Sequence, residues 1–298
     1  MINYSFIIPH HNSSGLLNRC LDSIPQREDI EIIVVDDNSD ADKKPQVKRP
    51  DVKLVFIDAE HSKGAGRARN CGLKVARGKW IVFADADDFF EPGFLDVLDN
   101  YKDTDNDVVY HPAKAVDTLT LEEMPALLKR HNEYFLNYDG TQYSLDLIRF
   151  HLHSPWWKMV SREFIEKHNI LFEEVPKGND VFFSYQVGYF AKNIKIEQCP
   201  IYVYTFNRQG ITNGRKNKRI YISVIQGHFK NNEFYRFIGH EDWKKSNLRT
   251  WFRIIKKDGF LIFFQTLISF LKNYREIYAN RMYYVEELNK CRNNPRKI

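Results

Sequence analysis

Short apolar runs alternate with amphipathic segments along the N-terminal part of the chain. The runs occupy residues 4–9, 30–35, 52–58 and 80–84. Because their apolar side chains are nearly continuous, they are typical of strands that are buried on both faces of a sheet. After the first run, Leu17, Leu21 and Ile24 recur at helical spacing and predict an amphipathic helix. Strands alternating with helices predict parallel βαβ units with right-handed crossovers, and therefore an α/β fold.

Three carboxylates follow the fourth apolar run. They belong to Asp85, Asp87 and Asp88. In an open α/β sheet, ligands bind beyond the carboxyl ends of the strands, so these side chains lie where a site is expected. Their mutual repulsion favours a bound cation, and hard oxygen ligands suit Mg²⁺ or Mn²⁺ shared with substrate phosphates. The alternative is a polar turn in which Asp88 caps the helix predicted after Pro92.

A glycine-rich, basic segment begins the helix that precedes the fourth run. It contains Gly64 and Gly66 together with Lys63, Arg67 and Arg69. The free N–H groups and the dipole at such a helix start suit an anion. The segment has neither the Gly-x-Gly-x-x-Gly nucleotide fingerprint nor the lysine-serine ending of a P-loop. A solvated basic surface is the alternative.

Size and composition predict a soluble, cytoplasmic protein. The chain has 298 residues, of which 43% are hydrophobic, enough for one large α/β domain and an appendage. Its start lacks the features of a signal peptide, and no apolar run approaches the ~20 residues that span a bilayer. The four cysteines have neither metal-type nor redox-type spacing, so we expect reduced thiols.

Charge is distributed unevenly along the chain. Residues 1–214 contain 25 Lys and Arg against 32 Asp and Glu, whereas residues 215–298 contain 19 against 7. Within the basic part, 259–271 is apolar, too short to span a membrane, and flanked by basic residues. The mixture over 243–284 suits an interfacial helix near anionic lipid headgroups. The alternatives are packing on the rest of the chain or in a dimer; nucleic acid is discounted because no recognition motif accompanies the charge.

Four motifs stand in the order and spacing of family 2 glycosyltransferases. They read IIPHHN at 7–12, EIIVVDDNSD at 31–40, KGAGRARNCGL at 63–73 and GKWIVFADADD at 78–88. The chain resembles this family up to about residue 215. The resemblance implies the GT-A fold, a Rossmann-like and mostly parallel sheet flanked by helices, here with a C-terminal helical extension. It also implies an inverting enzyme that uses nucleotide-sugars to build bacterial polysaccharide, lipopolysaccharide or capsule.

The resemblance implies a donor site at the ends of the first, second and fourth strands. Its residues would be Pro9, His11, Asp37, Lys63, Arg69, Asp85 and Arg208. Pro9 would border the nucleobase together with His11, which stands where the family often has tyrosine. Asp37 would accept a hydrogen bond from uracil, and Arg69 would approach the diphosphate. We expect the neighbouring Asp36 to cap the turn after its strand.

The pair Asp85 and Asp87 resembles the family's metal-binding D-x-D motif. Asp85 would face the ribose, and Asp87 would bind a Mn²⁺ or Mg²⁺ ion directly. The ion would neutralise charge on the departing diphosphate. Arg208, in a segment that echoes the family's closing motif, would reach the same diphosphate.

Two further motifs imply the acceptor side of the site. PWWK at 155–158 resembles the family's W-N-K element, and Trp156 is either a platform for an acceptor sugar or a buried core residue. KGND at 177–180 resembles the G-E-D element, with Asn179 replacing glutamate and contributing hydrogen bonds near the acceptor. Asp180 would be the general base that takes the proton of the acceptor hydroxyl. Its alternative role is a carboxylate that stabilises a helix N-terminus.

The implied reaction moves a sugar, most readily from a UDP-sugar, to a hydroxyl of a growing, lipid-linked cell-surface glycan at the inner face of the cytoplasmic membrane. Residues 1–110 would form the nucleotide-sugar half, 111–214 the acceptor half and 215–298 the helical extension. Two rival functions are a catalytically idle nucleotide- or carbohydrate-binding scaffold and a sugar nucleotidyltransferase. The second rival needs a glycine-rich loop after the first strand, where this chain reads HHNSS at 10–14.

Overall fold

The computed structural model describes residues 1–175, 177–207 and 218–293. The predicted donor residue Arg208 therefore lies outside the described residues. The chain divides into two compact units. The first comprises Met1–Val175 and Asn179–Asn207, and the described helices from residue 218 onward belong to the second.

The first unit is an α/β structure built on two sheets. Its strands are β1 (Tyr4–His10), β2 (Ile30–Asp37), β3 (Val52–Ile57), β4 (Trp80–Phe83), β5 (Phe89–Phe90), β6 (Val108–Tyr110), β7 (Ala113–Asp117), β8 (Lys158–Ser161), β9 (Ile194–Ile196) and β10 (Tyr202–Phe206). Its helices are α1 (Ser14–Ser23), α2 (Ala65–Val75), α3 (Phe94–Asp99), α4 (Lys129–Leu136), α5 (Gln142–His151), α6 (Arg162–His168) and α7 (Asn179–Phe190). Short 3₁₀ turns connect several of them.

The main sheet has the strand order β3-β2-β1-β4-β8-β6-β9. Strands β1 to β4 are mutually parallel, and β8 runs antiparallel to both of its neighbours. The four apolar runs of the sequence are these four parallel strands, which confirms the predicted α/β class with a mostly parallel sheet. Side chains of β1, β2 and β4, such as Phe6, Val34 and Trp80, are fully buried, as continuous apolar strands require. The edge strand β3 is only partly buried, and its Phe56 is 56% exposed, so burial on both faces is wrong for the third run.

The second sheet, β5-β10-β7, continues from the chain that leaves β4. Its strand β10 lies between β5, which it meets antiparallel, and β7, which it meets parallel. The Phe90 ring packs edge-on against two neighbours, with its centroid 5.3 Å from that of Phe6 and 5.4 Å from that of Tyr202. The segment between β4 and β5 is therefore fixed at both ends by buried aromatic residues.

An aromatic cluster holds α7 against the centre of the main sheet. The Phe172 and Phe183 rings stack at 4.0 Å, and both meet Phe83 of β4 edge-on at 5.1 and 5.4 Å. All three side chains are buried. Because Phe183 lies one turn after the start of α7, this packing sets where the first turn of that helix lies.

The described part of the second unit consists of α8 (Lys218–Phe237), α9 (Leu248–Lys272), α10 (Tyr274–Ala279) and α11 (Tyr283–Asn293). Helix α9 is interrupted at Gly259, whose φ of 83° and ψ of 176° are not helical. The Trp251 ring contacts both Phe263 and Phe270, with centroids 5.8 and 5.6 Å away. A continuous helix would separate residues 251 and 270 by about 28 Å, so the chain reverses direction at Gly259. Among the described helices, none has the length and hydrophobicity needed to cross a membrane.

Candidate active site

The carboxyl ends of β1, β2 and β4 meet at one edge of the main sheet. Strand β1 lies between the other two, with His10 opposite Asp36 in β2 and Ile7 opposite Phe83 in β4. This arrangement collects the polar residues that follow each strand, because parallel neighbours end at the same edge. The candidate site is therefore built from residues that the sequence places in three separate motifs, all within the first unit.

At the end of β2, two adjacent aspartates have different surroundings. Asp36 accepts hydrogen bonds from the Ser39 backbone N–H at 3.2 Å and from the Ser39 hydroxyl at 2.5 Å, which confirms that it caps its turn. The His10 imidazole also donates to Asp36 at 2.7 Å. Asp37 accepts from the Gly64 N–H through Oδ2 at 2.7 Å, while His11 donates to the Asp37 carbonyl at 2.9 Å.

Two buried polar atoms at the ends of β1 and β2 have no hydrogen-bond partner within the described parts of the chain. They are Oδ1 of Asp37 and Nε2 of His10. An unsatisfied buried acceptor is costly unless a ligand or water completes it. Asp37 Oδ1 is thus a buried acceptor at the end of β2 that the described residues leave without a donor, and its contact with uracil stays a prediction.

The glycine-rich start of α2 packs against the segment that leads into α7. A Cβ at Gly66 would lie 2.1 Å from the Glu173 carbonyl oxygen and 3.0 Å from Cβ of Asn179. The two basic side chains here, Lys63 and Arg67, both donate to the Glu174 carboxylate at 3.1 Å. Glycine at residue 66 is therefore needed for this close approach, and a carboxylate is the anion that these two cations hold.

Arg69 connects the D-x-D segment with the start of α7. Its Nη2 donates to Oδ1 of Asp85 at 2.6 Å, and its Nη1 donates to Oδ1 of Asn179 at 3.0 Å. The guanidinium also lies 5.4 Å from the centre of the Phe172 ring, and it is almost fully buried. Its Nε–H has no partner among the residues described here. The structure thus brings Arg69, Asp85 and Asn179 together, although Arg69 contacts carboxylate and amide groups rather than an open cleft.

The three aspartates after β4 are separated by their environments. Asp88 is buried and accepts from the Tyr202 hydroxyl at 2.7 Å and from the Thr205 N–H at 2.6 Å. The alternative in which Asp88 caps a helix is wrong, because α3 begins after Gly93 and Asp88 is used to join β10 to the D-x-D turn. Asp85, with its side chain 34% exposed, and the half-buried Asp87 are left at the surface of the site.

Electrostatic repulsion among these carboxylates is not fully offset by the protein. Burial, followed by the charge of Asp85, raises the pKa of Asp87 to about 6. Burial and the charge of Asp87 raise the pKa of Asp88 well above its ordinary value. The nearest cationic side chain from α1, Arg19, donates to the Asp87 carbonyl oxygen at 2.7 Å rather than to its carboxylate. A cation at Asp87 would relieve this repulsion.

The donor set at this edge fits a hard divalent ion. Asp85 Oδ1 is engaged by Arg69. Among the described residues, no side chain donates to the Asp87 carboxylate, and no three His, Cys, Asp or Glu side chains converge as a metal cage. Oxygen ligands with open coordination positions are those that Mg²⁺ and Mn²⁺ use when they share a substrate's phosphates. Asp87 is the residue of the pair that has its carboxylate free for an ion.

Asp180 lies in the first turn of α7, next to Asn179. Below it on the same helix, the Ser184 hydroxyl accepts from the buried Lys158 ammonium at 2.7 Å. Lys158 also donates to the Leu152 and Ser154 carbonyls at 2.8 and 3.3 Å, and burial lowers its pKa to about 7. These contacts tie the chain after Trp157 to α7 and hold the helix that carries Asp180.

Trp156 belongs to the packed interior of the first unit. Its ring stacks on Tyr202 at 5.0 Å and on Tyr204 at 5.9 Å, and only 5% of its surface is exposed. Of the two sequence interpretations, the geometry of the described chain corresponds to a core residue, and an acceptor contact by Trp156 stays a prediction.

Sequence reasoning missed several supporting residues. Arg19, Glu174, Lys158 and Tyr202 were not assigned to the site, although each contacts one of its elements. Tyr202 donates to Asp88 and its hydroxyl accepts from the Asp85 N–H at 2.9 Å. Two of them stood in motifs: Lys158 ends the PWWK element, and Tyr202 begins the segment with Arg208 that echoes the family's closing motif. Nothing local marks Arg19 and Glu174, because their partners are distant in sequence.

A comparison of the sequence with known protein families shows to which family the chain belongs. The sequence profile of Glycosyl transferase family 2 matches residues 5–168, more than half of the chain. The chain belongs to glycosyltransferase family 2. The matched region of this family 2 glycosyltransferase contains β1 to β4, the basic start of α2 and the D-x-D pair.

Two relatives illustrate how far the similarity extends. EpsH of Bacillus subtilis is 26% identical over 231 residues, which cover 74% of this chain and 65% of EpsH. The cholesterol galactosyltransferase of Borreliella burgdorferi is 31% identical over 219 residues, or 69% of this chain and 60% of that protein. The family 2 chain therefore spans less than two thirds of the length of these relatives.

Among solved structures, S. aureus TarS 1–349 in complex with UDP-GlcNAc is similar in fold. The TM-score is 0.56 at 21% sequence identity, with 76% of this chain and 65% of that chain covered. At this identity the likeness concerns the fold alone. It confirms the GT-A fold that the sequence motifs predicted for this family 2 glycosyltransferase.

Proposed function

We propose that this family 2 chain is an inverting glycosyltransferase that moves a sugar from a UDP-sugar to an acceptor hydroxyl of a growing, lipid-linked glycan. The observation that carries the proposal is the pair of Arg69 hydrogen bonds, to Asp85 at 2.6 Å and to Asn179 at 3.0 Å. Through them, the predicted donor side and the predicted base side of the site lie within one guanidinium's reach. A shared reaction centre needs this proximity.

The donor's uridine would bind at the ends of β1 and β2. Asp37 Oδ1, buried and unpartnered among the described residues, would accept the uracil N–H, and His11 beside it would supply a ring face with Pro9. The complex of TarS with UDP-GlcNAc supports a UDP-sugar by analogy of fold. Lys63 and Arg69 would add positive charge near the diphosphate, where negative charge develops. Arg208 stays a predicted diphosphate contact.

Asp87, with Asp85 beside it, would hold a Mn²⁺ or Mg²⁺ ion. Burial, and after it the charge of Asp85, raise the pKa of Asp87 to about 6; this supports the role because a cation would offset both the cost of the buried negative charge and the repulsion. When bound, such an ion supplies Lewis-acid stabilisation of the leaving diphosphate. The side chains of this chain would orient the donor and hold Asp85 through Arg69.

Asp180 would act as the general base. It would take the acceptor hydroxyl's proton as that oxygen forms a bond to the anomeric carbon and the bond from that carbon to the diphosphate breaks. UDP would leave with the bonding electron pair, and a single displacement inverts the anomeric configuration. Asn179, which cannot ionise, would hydrogen-bond near the acceptor. Acceptor contact by Trp156 remains the least supported assignment, since its ring is buried.

A lipid-linked acceptor implies an enzyme that works at a membrane surface. The name of the Borreliella relative, a cholesterol galactosyltransferase, supports a lipid-borne acceptor, and the basic second unit supports a location at the inner face of the cytoplasmic membrane. Among the alternatives, the idle scaffold predicts UDP binding without turnover. The nucleotidyltransferase is disfavoured by the HHNSS sequence after β1.

Replacing Asp180 tests the proposed base. We expect Asp180→Asn to keep UDP affinity and to lower kcat for UDP release from a panel of UDP-sugars by about 10²- to 10⁴-fold. The matched control is Asp96→Asn, because Asp96 is also an aspartate in the first turn of a helix, α3, but lies outside the site. Equal, near-normal turnover in both variants would show that Asp180 is not the base and that its carboxylate only stabilises the helix. A wild-type protein that binds UDP but never releases it from any donor would favour the scaffold.

A further inference from the structure

The second unit exposes large apolar side chains along one helix face. After the break at Gly259, α9 carries five such residues, from 53% exposed at Ile268 to 70% exposed at Leu261. They are Phe260, Leu261, Phe264, Ile268 and Leu271. At 100° per residue these five side chains fall within an arc of about 100°. We call this set the apolar face.

The apolar face is distinct from the side by which the same helical segment packs. Thr266, on the other side of the segment, is fully buried, and Phe263 and Phe270 contact the Trp251 ring. The segment therefore already has a packed side within its own unit, and the apolar face is a second apolar surface. Contiguous exposed apolar surface on a soluble protein marks a binding surface for a protein or a membrane.

Basic residues flank the apolar face at both ends. Lys256 and Lys257 precede it, and Lys272 and Arg275 follow it; all four are exposed. Over 243–284 the chain has nine Lys and Arg against two Asp and Glu. One of the two acids, Asp258, accepts a hydrogen bond from the Tyr221 hydroxyl. The region around the apolar face thus presents little negative charge to a partner.

This charge pattern distinguishes between partners. An anionic bilayer surface would receive the apolar side chains below the headgroups and pair its phosphates with the flanking ammonium and guanidinium groups. A second copy docking face to face would bring like charges together at both ends, which opposes association.

We propose that the apolar face docks on an anionic lipid surface, with Lys256, Lys257, Lys272 and Arg275 at the headgroup phosphates. This inference rests on the proposed membrane location and names the residues that produce it. Because the chain reverses at Gly259, the apolar face lies on its own short helical segment. The basic pair 256–257 lies just before that segment. The surface is a peripheral anchor formed by residues of the second unit, whereas the predicted site residues within the described chain belong to the first unit.

Vesicle co-sedimentation of the full chain tests this proposal. We expect binding to phosphatidylcholine vesicles that contain about 30% phosphatidylglycerol, weak binding to pure phosphatidylcholine, and release of the bound protein by salt. The double variant Phe264→Ser/Ile268→Ser should lower the partition coefficient about tenfold or more, because two exposed apolar side chains that would enter the bilayer are lost. The matched control is Leu119→Ser/Leu136→Ser, which removes two exposed leucines from the first unit and should bind as wild type.

Several results would overturn the proposal. One is equal vesicle binding by Phe264→Ser/Ile268→Ser and wild type, with both shown folded by thermal unfolding. Another is a wild-type dimer in analytical ultracentrifugation that this variant abolishes, since the apolar face would then be a subunit interface. UDP release from UDP-sugars is measured in parallel. A wild-type protein that releases no UDP would refute the proposed function. A loss of lipid binding with UDP release retained would concern the anchor alone.

Discussion

At the scale of single residues, the candidate site depends most on Arg69, whose guanidinium joins Asp85 to Asn179. The sequence assigns Arg69, Asp85 and Asp180 to one site because each stands in a family motif. It does not predict that Arg69 donates to Asp85 and Asn179, which lie 16 and 110 positions away. Those contacts depend on how α2, β4 and α7 pack, and no local pattern encodes that packing.

The three aspartates after β4 illustrate the same point. In the sequence they are equivalent carboxylates in one turn. In the structure Asp88 faces inward to Tyr202 and Thr205, while Asp85 and Asp87 remain at the site. This difference arises because Asp88 bonds to strand β10, which is more than 110 residues further along the chain. The metal-binding role of the pair stays a prediction, and the structural role of Asp88 was not predictable from the sequence.

His111 gives a pH prediction at this scale. It is buried, and burial lowers its pKa from 6.5 to about 4. Between these values the unfolded chain takes up a proton that the folded chain does not. The free energy of unfolding therefore falls as pH decreases through this window, by about 3 kcal/mol at most from this residue, and the contribution is complete above the unfolded pKa.

Urea unfolding at about pH 7 and about pH 4.5 checks this expectation. The loss of stability on acidification should be smaller in His111→Gln than in wild type, since the variant has no imidazole to protonate. His61→Gln serves as the control, because it also removes one imidazole, but an exposed one that pairs with Asp58 at 2.7 Å. An acid response that is the same in wild type and His111→Gln would contradict the assignment.

At the scale of elements, continuous apolar runs were the most dependable signal. The four predicted runs became β1 to β4, and β1, β2 and β4 are buried on both faces as such runs favour, whereas β3 lies at the edge of the sheet and is only partly buried. The stretch 113–143 gave no clear pattern, and there β7 owes its structure to parallel pairing with β10, about ninety positions away. The reversal at Gly259 was also missed, since an isolated glycine beside an apolar run does not reveal a positive φ.

Gly66 makes the packing of α2 testable. In Gly66→Ala the new Cβ would meet the Glu173 carbonyl oxygen at 2.1 Å, so α2 and the segment before α7 must separate. We expect a loss of about 1–3 kcal/mol in the free energy of unfolding and lower UDP release, because Arg69 and Asn179 move apart. Gly15→Ala in α1 is the matched control, as nothing lies within 4 Å of its Cβ. That variant should be neutral or slightly more stable; equal behaviour of both variants would show that the close approach is unimportant.

At the scale of the whole molecule, charge predicted a change of character near residue 215. The described chain also divides into an α/β unit that reaches residue 207 and a helical unit described from residue 218. The finer boundaries at 110 and 214 stay predictions. The exposed face of α9 could not be predicted from the sequence. Its apolar residues are evident there, but which of them pack inward depends on the chain reversal that brings Trp251 to Phe270.

The central claim for the molecule is metal-assisted binding of a UDP-sugar at the D-x-D edge, and calorimetric titration of UDP with Mn²⁺ or with EDTA tests it most directly. We predict that wild type binds UDP about tenfold or more tightly with Mn²⁺, a difference of ~1.4 kcal/mol. In Asp87→Asn this enhancement should vanish, and in the control Asp96→Asn it should persist. Equal UDP affinity of wild type in Mn²⁺ and EDTA, or a full Mn²⁺ effect in Asp87→Asn, would contradict the account.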